Sequence, residues 1–148
     1  MNRILSLTAL SLALAGAGFT TLSAEAASRR VVKTDGQGNA SVVSAAAVKG
    51  PNGGSAARAG KTSVAPDGSA QHQSGIRAQS AKGSLQSSGT SSRDAAGNVT
   101  QARSSTITSA ATGDTMKTSS AYSKDTGVTR SASCYNASGA SIACPTRP

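Results

Sequence analysis

The sequence predicts an all-β fold: a low-complexity meander or solenoid-like repeat of short strands, with a period of about 15 residues and partly disordered ends. Three observations carry that expectation. Glycines recur at Gly38, Gly53, Gly68, Gly83, Gly97, Gly113, Gly127 and Gly139, in steps of 15, 15, 15, 14, 16, 14 and 12. Most of them close a cluster of turn formers, such as DGQG, GPNG, APDG, DAAG, KDTG and NASG. In such clusters Asp and Asn bond their own main chain and Pro presets the first turn angle. The stretches between are rich in Ser, Thr, Ala and Val, as in SVVSAAAV, KTSVA, VTQARSSTITS and TRSASCY, without a 3.6-residue apolar stripe or a capped helix start.

The first element is not part of the repeat. Residues 1–26 read as a secretory signal peptide: Arg3, then an apolar run from Ile4 to about Phe19, then a small-x-small site at Ala24-Glu25-Ala26, with cleavage expected between Ala26 and Ala27. The apolar run, of roughly 15 residues, is shorter than the roughly 20 that a spanning helix needs, so no transmembrane segment is expected. The mature protein is expected to be exported, to the periplasm or the medium. Removing Arg3 and Glu25 together leaves the net charge of +9 unchanged.

Residues 27–133 form the Gly/Ser/Ala/Thr-rich repeat region. Within it Val99, Gln101, Arg103, Ser105 and Ile107 are expected to share one strand face, with Thr100, Ala102, Ser104, Thr106 and Thr108 on the other. The one helix-compatible stretch, SAAAV at 44–48, is too short to stand alone. Leu, Ile, Val and Phe make up roughly a tenth of the mature chain, below the ~20% under which charged chains rarely build a core. A compact single-core globule is thereby disfavoured. Two readings remain: a repeat held by backbone hydrogen bonds and small side chains, or an intrinsically disordered secreted polycation.

Asp35-Gly36-Gln37-Gly38-Asn39-Ala40-Ser41 and Asp94-Ala95-Ala96-Gly97-Asn98-Val99-Thr100 are two copies of D-x-x-G-N-[AV]-[ST], 59 residues apart. This motif resembles the turn of YD repeats in bacterial Rhs-type surface and toxin-shell proteins, with Thr34 and Arg93 where those repeats carry tyrosine. The resemblance implies a long meandering β-sheet and no particular activity. The Gly50-Pro51-Asn52-Gly53-Gly54 turn likewise resembles those of small exported bacterial repeat proteins of uncharacterised role.

Residues 134–148 are expected to form a disulfide-closed hairpin and tail, with Cys134 and Cys144 flanking Asn136-Ala137-Ser138-Gly139 and Pro145 ending it. A redox or metal pair is the weaker reading, since redox motifs favour C-x-x-C and the sole histidine, His72, is remote in sequence.

The remaining chemistry points away from catalysis. Asp67 and His72 stand five positions apart among many serines, but no nucleophile elbow accompanies them. Asp35, Gln37 and Asn39 have part of the spacing of a calcium loop without its bidentate acid. Asn39, Asn98 and Asn136 begin N-x-[ST] sequons, which a chain rich in Ser and Thr produces by chance. No catalytic, cofactor or metal residue is assigned. The bases fall one or two per period with no block of five, and only Tyr122 and Tyr135 are aromatic in the mature chain. Sequence-specific nucleic-acid recognition is therefore not expected. The expected role is structural or adhesive at the cell envelope, with binding to anionic polysaccharide, lipopolysaccharide or extracellular DNA by charge. A curli-like fibre subunit is the further alternative.

Overall fold

The computed structural model describes residues 25–145. The predicted signal segment therefore lies outside the described residues except at Glu25 and Ala26, which open the first strand. Nine strands follow in chain order: β1 (Glu25–Thr34), β2 (Ala40–Lys49), β3 (Ser55–Val64), β4 (Ala70–Ser80), β5 (Gly83–Arg93), β6 (Val99–Ser109), β7 (Thr115–Ser123), β8 (Gly127–Tyr135) and β9 (Ser141–Ile142). Each pairs antiparallel with the next, giving one open sheet in the order β1 to β9. The chain is thus an all-β meander, in an open sheet rather than a solenoid. The strands are also not short: β1 to β8 run 9 to 11 residues, against a usual five or six. SAAAV at 44–48 lies inside β2, paired on both sides, because the tertiary ladder outweighs a weak local helix preference.

The turns explain both the period and the glycines. Gly38, Gly53, Gly68, Gly83, Gly97, Gly113, Gly127 and Gly139 all have positive φ, and among the described residues no non-glycine does. In the turns at 50–54, 65–69, 94–98 and 136–140 the first amide donates to the fifth carbonyl and the glycine amide at the fourth position donates back to the first carbonyl. This is a three-residue hairpin loop whose last residue must be left-handed, a conformation that costs an L-residue roughly 1–2 kcal/mol. Five turn residues and ten strand residues make the period of about 15.

Acidic residues brace these turns. Asp94 Oδ1 accepts the Asn98 amide at 2.8 Å and Oδ2 accepts Asn98 Nδ2 at 2.8 Å. Asp35 likewise accepts from the Gln37 and Asn39 amides and from Asn39 Nδ2. The D-x-x-G-N motif is therefore a side-chain clamp across a turn. Asp67 accepts the Ser69 amide, and Asn136 Oδ1 does the same work for Ser138 and Ala140.

There is no core in the ordinary sense: among the described residues only Cys134 and Ser87 are buried. Stability rests on the ladders, the turns and packing within each face. Cys134, on β8, is disulfide-bonded to Cys144 with Cα atoms 5.2 Å apart. This bond ties the two-residue strand β9 and the chain after it to the sheet.

Three outcomes follow from this construction. Gly97→Ala, with open space around its added methyl group, should cost about 1–2 kcal/mol of unfolding free energy from backbone strain alone. Gly83→Ala should cost more, because its Cβ would collide with the Thr108 carbonyl oxygen. Gly60→Ala, without positive φ and with only ordinary contacts, should be near neutral; urea midpoints rank the three. Opening the disulfide with Cys134→Ser and Cys144→Ser should cost roughly 2.5–3 kcal/mol in the chain-entropy account of an 11-residue loop, read from the same midpoints.

Asn39, then the Gln37 amide, hold the Asp35 carboxyl below the ordinary aspartate value; Asn98 does so for Asp94 and the Ser69 amide for Asp67. A lowered folded value means stability that is present above the ordinary range near pH 4 and lost as pH falls through the folded values. Thermal midpoints should therefore hold from neutral pH to about pH 4 and drop below it, with a shallower drop in Asp35→Ala/Asp94→Ala.

Candidate functional site

Directly paired residues on neighbouring antiparallel strands share a face, so the register assigns every strand side chain. One face is rich in hydroxyls. Ser92 pairs with Thr100 at 2.7 Å between oxygens, Ser119 with Ser131 at 2.7 Å, Ser88 with Ser104 at 3.2 Å and Thr108 with Thr115 at 3.2 Å. Each bond links a directly paired cross-strand couple. This face also carries Arg29, Lys33, Lys49, Lys61, Arg77 and Lys117, with Glu25 its one strand acid. Lys117 Nζ lies 5.2 Å from the centre of the Tyr135 ring, within cation–π range. An open depression of about 840 Å³ crosses its middle, over residues such as Ala59, Gln73, Thr90 and Ala102.

The opposite face is chemically different. One cross-strand row runs Ala26, Val48, Ala56, Ala78, Leu85, Ile107, Met116, Cys134 and Ile142, apolar on all nine strands. A second row runs Arg30, Ser44, Gly60, Ser74, Gly89, Arg103, Ser120 and Arg130, a floor of small residues with arginines at its ends and near its middle. Arg103 lies over Gly89, where an added Cβ would stand 3.2 Å from the guanidinium carbon. Its Nη1 donates to Ser87 Oγ at 3.0 Å and its Nη2 to Ser74 Oγ at 3.3 Å. Ser105 Oγ donates to the same Ser87 oxygen at 2.8 Å. Arg58 and Arg93 complete five arginines on this face, with no lysine and no acid among its strand residues. We call it the arginine face.

The residues singled out in the sequence fall as follows. Val99, Gln101, Arg103, Ser105 and Ile107 do share a face, the arginine face. Ala26 and Ala27, the expected cleavage pair, sit in β1 opposite Val48 and Ala47; cleavage between them would leave eight of the ten β1 pairs. His72 Nδ1 is 2.9 Å from Thr62 Oγ1 across β3 and β4, while Asp67 is committed to its own turn. The Asp35 carboxylate is taken up by Gln37 and Asn39. Among the described residues no three His, Cys, Asp or Glu groups gather as a metal site, and no helix is long and apolar enough to cross a membrane. Sequence reasoning missed the sorting of the bases: it found them spread, whereas the register gathers arginines with apolar residues on one side.

No family model, no curated protein and no solved structure matches this chain.

Proposed function

We propose that the protein is an exported, non-enzymatic structural or adhesive component of the cell envelope whose sheet binds anionic polymers. One observation carries the reading: apart from Lys82 and Lys124 in turns, the described bases lie on the strands, on both faces, while Asp35, Asp67, Asp94, Asp114 and Asp125 all lie in turns. The broad surfaces are therefore positive, and the negative charge is confined to the sheet's two ends. Long-range attraction to polyanions follows from that separation, by counterion release as bases meet anionic groups. The many cross-strand hydroxyl pairs suit an extended polymer, which needs neither a pocket nor aromatic stacking. The likeness of the D-x-x-G-N turns to YD repeats supports the β-repeat organisation alone and adds no activity.

The test is a salt series with mature protein against an acidic polysaccharide and against duplex DNA. Engagement of about four phosphates on DNA predicts an affinity loss of roughly a hundred-fold between 50 and 200 mM salt. Sequence-scrambled duplexes should bind alike. Failure to bind either polyanion at low salt would end the proposal.

A further inference from the structure

We infer that the arginine face is a docking surface for an anionic lipid surface, through phosphate headgroups at its arginines and the upper acyl region at its apolar residues. The inference rests on the anionic-polymer reading and narrows it to one face and one partner chemistry.

Sorting of the apolar residues is the first observation. Among the described residues nine large apolar side chains are exposed, and eight of them lie on the arginine face; the exception is Val43. Val128 is 61% exposed and Val32 56%. Under Leu85, Ile107, Met116 and Ile142 runs an open apolar trough of about 570 Å³, and a second of about 340 Å³ lies over Val48, Ala56 and Ile76. Val31, Val43 and Tyr135 lie on the other face, but a sheet that keeps most of its large apolar residues on one side has that side to cover.

The charge decides what covers it. A second copy laid face to face would bury two sets of five arginines with no strand carboxylate to meet them, and burying unpaired cations costs several kcal/mol each. A neutral apolar protein partner leaves the same charges unmet. A phosphate-bearing amphiphile supplies both requirements: oxygen acceptors that match the guanidinium fork and hydrocarbon beneath them. Arg103 is built for this contact. Two serine oxygens, of Ser87 and Ser74, hold its guanidinium over Gly89, leaving its other donors for an incoming anion. Arg30 and Arg130 stand in the same row on the outer strands, and Tyr122 and Val128 border it. The footprint is large enough: eight strands about 4.8 Å apart and ten residues of about 3.3 Å give a face of about 38 by 33 Å.

Co-sedimentation with vesicles tests the assignment. Native protein should bind phosphatidylglycerol/phosphatidylcholine vesicles at physiological salt and pure phosphatidylcholine vesicles far more weakly. Arg30→Ser/Arg130→Ser should weaken binding to the anionic vesicles by about thirty-fold, at roughly fivefold per arginine. Ile107→Ser/Val128→Ser should weaken it at least tenfold while leaving binding to a soluble acidic polysaccharide unchanged. Lys61→Ser/Lys117→Ser, which removes the same charge from the hydroxyl face, should weaken vesicle binding less than threefold. A circular dichroism spectrum matching native protein qualifies each variant, and Arg30→Lys/Arg130→Lys replaces any that unfolds, with a smaller loss expected. Equal loss from the hydroxyl-face and arginine-face variants, or no loss from the apolar one, overturns the docking face while polysaccharide binding keeps the broader reading alive. A native dimer in sedimentation that becomes monomeric in Ile107→Ser/Val128→Ser overturns it in favour of a second copy. Loss of polysaccharide binding altogether overturns both.

Discussion

Everything in this sheet depends on a left-handed residue at the close of each turn. A β-meander without a core has no packed interior to correct a misaligned hairpin, so register must be set locally. In the turns at 50–54, 65–69, 94–98 and 136–140 the fourth residue donates its amide to the first carbonyl, and its positive φ turns the chain so that the first amide reaches the fifth carbonyl; the residue is glycine each time. Fixing the turn fixes which residues pair. Fixing the pairs fixes which side of the sheet each side chain takes, because one residue of slip exchanges the two faces. The carboxylate and amide clamps of Asp35 with Asn39 and Asp94 with Asn98 reinforce the same choice from outside the backbone.

Turn length then acts as a switch on the sequence pattern. From β1 to β4 the arginine face carries even-numbered residues, as in Arg30, Val48, Arg58 and Ile76. The two-residue turn Ala81–Lys82 between Ser80 and Gly83 shifts the parity, and on β5 and β6 the same face carries Leu85, Arg93, Arg103 and Ile107. The six residues between Thr108 and Thr115 shift it back, so β7 and β8 present Met116, Tyr122, Val128 and Arg130. The large apolar residues change parity at the same two places. Sequence and turn geometry agree at each crossing, which is the consistency expected of a chain that specifies one register.

This explains how much was legible beforehand. The periodic glycines, the turn clusters, the strand character between them and the Cys134–Cys144 pair are local features, and each could be read from a few adjacent residues. Alternation within β6 was readable for the same reason. The faces of the whole sheet were not, because they depend on whether each turn holds an odd or an even number of residues, and Ala81–Lys82 carries no turn signature of its own. Without the parity shifts the arginines at 30, 58, 93, 103 and 130 look scattered. His72 showed the opposite limit: its partner Thr62 is ten residues away across a hairpin, a contact set by register and invisible to motif spacing.

Among the described residues the open sheet leaves two edges unpaired, and the same rows of side chains bear on how they behave. β1 presents one edge, and β9, paired only with Cys134 and Tyr135, leaves the outer edge of β8 from Gly127 to Ser133 uncovered. β8 and β1 run in opposite directions, so a following copy could in principle extend the meander antiparallel. In the register that continues the existing rows, Arg30 would then fall directly opposite Arg130, and Val32 opposite Val128. Like charges directly opposite across strands are destabilising, and slipping by one residue to avoid them would put the arginine row of one copy beside the hydroxyl face of the next. A slip of two keeps the faces but breaks the continuous apolar row. The arginine row thus opposes edge-to-edge growth with a charge on each outer strand, a known device for protecting exposed edges. The arginines on which the proposed anion contact rests, Arg30 and Arg130, are thus the ones that oppose this edge-to-edge pairing.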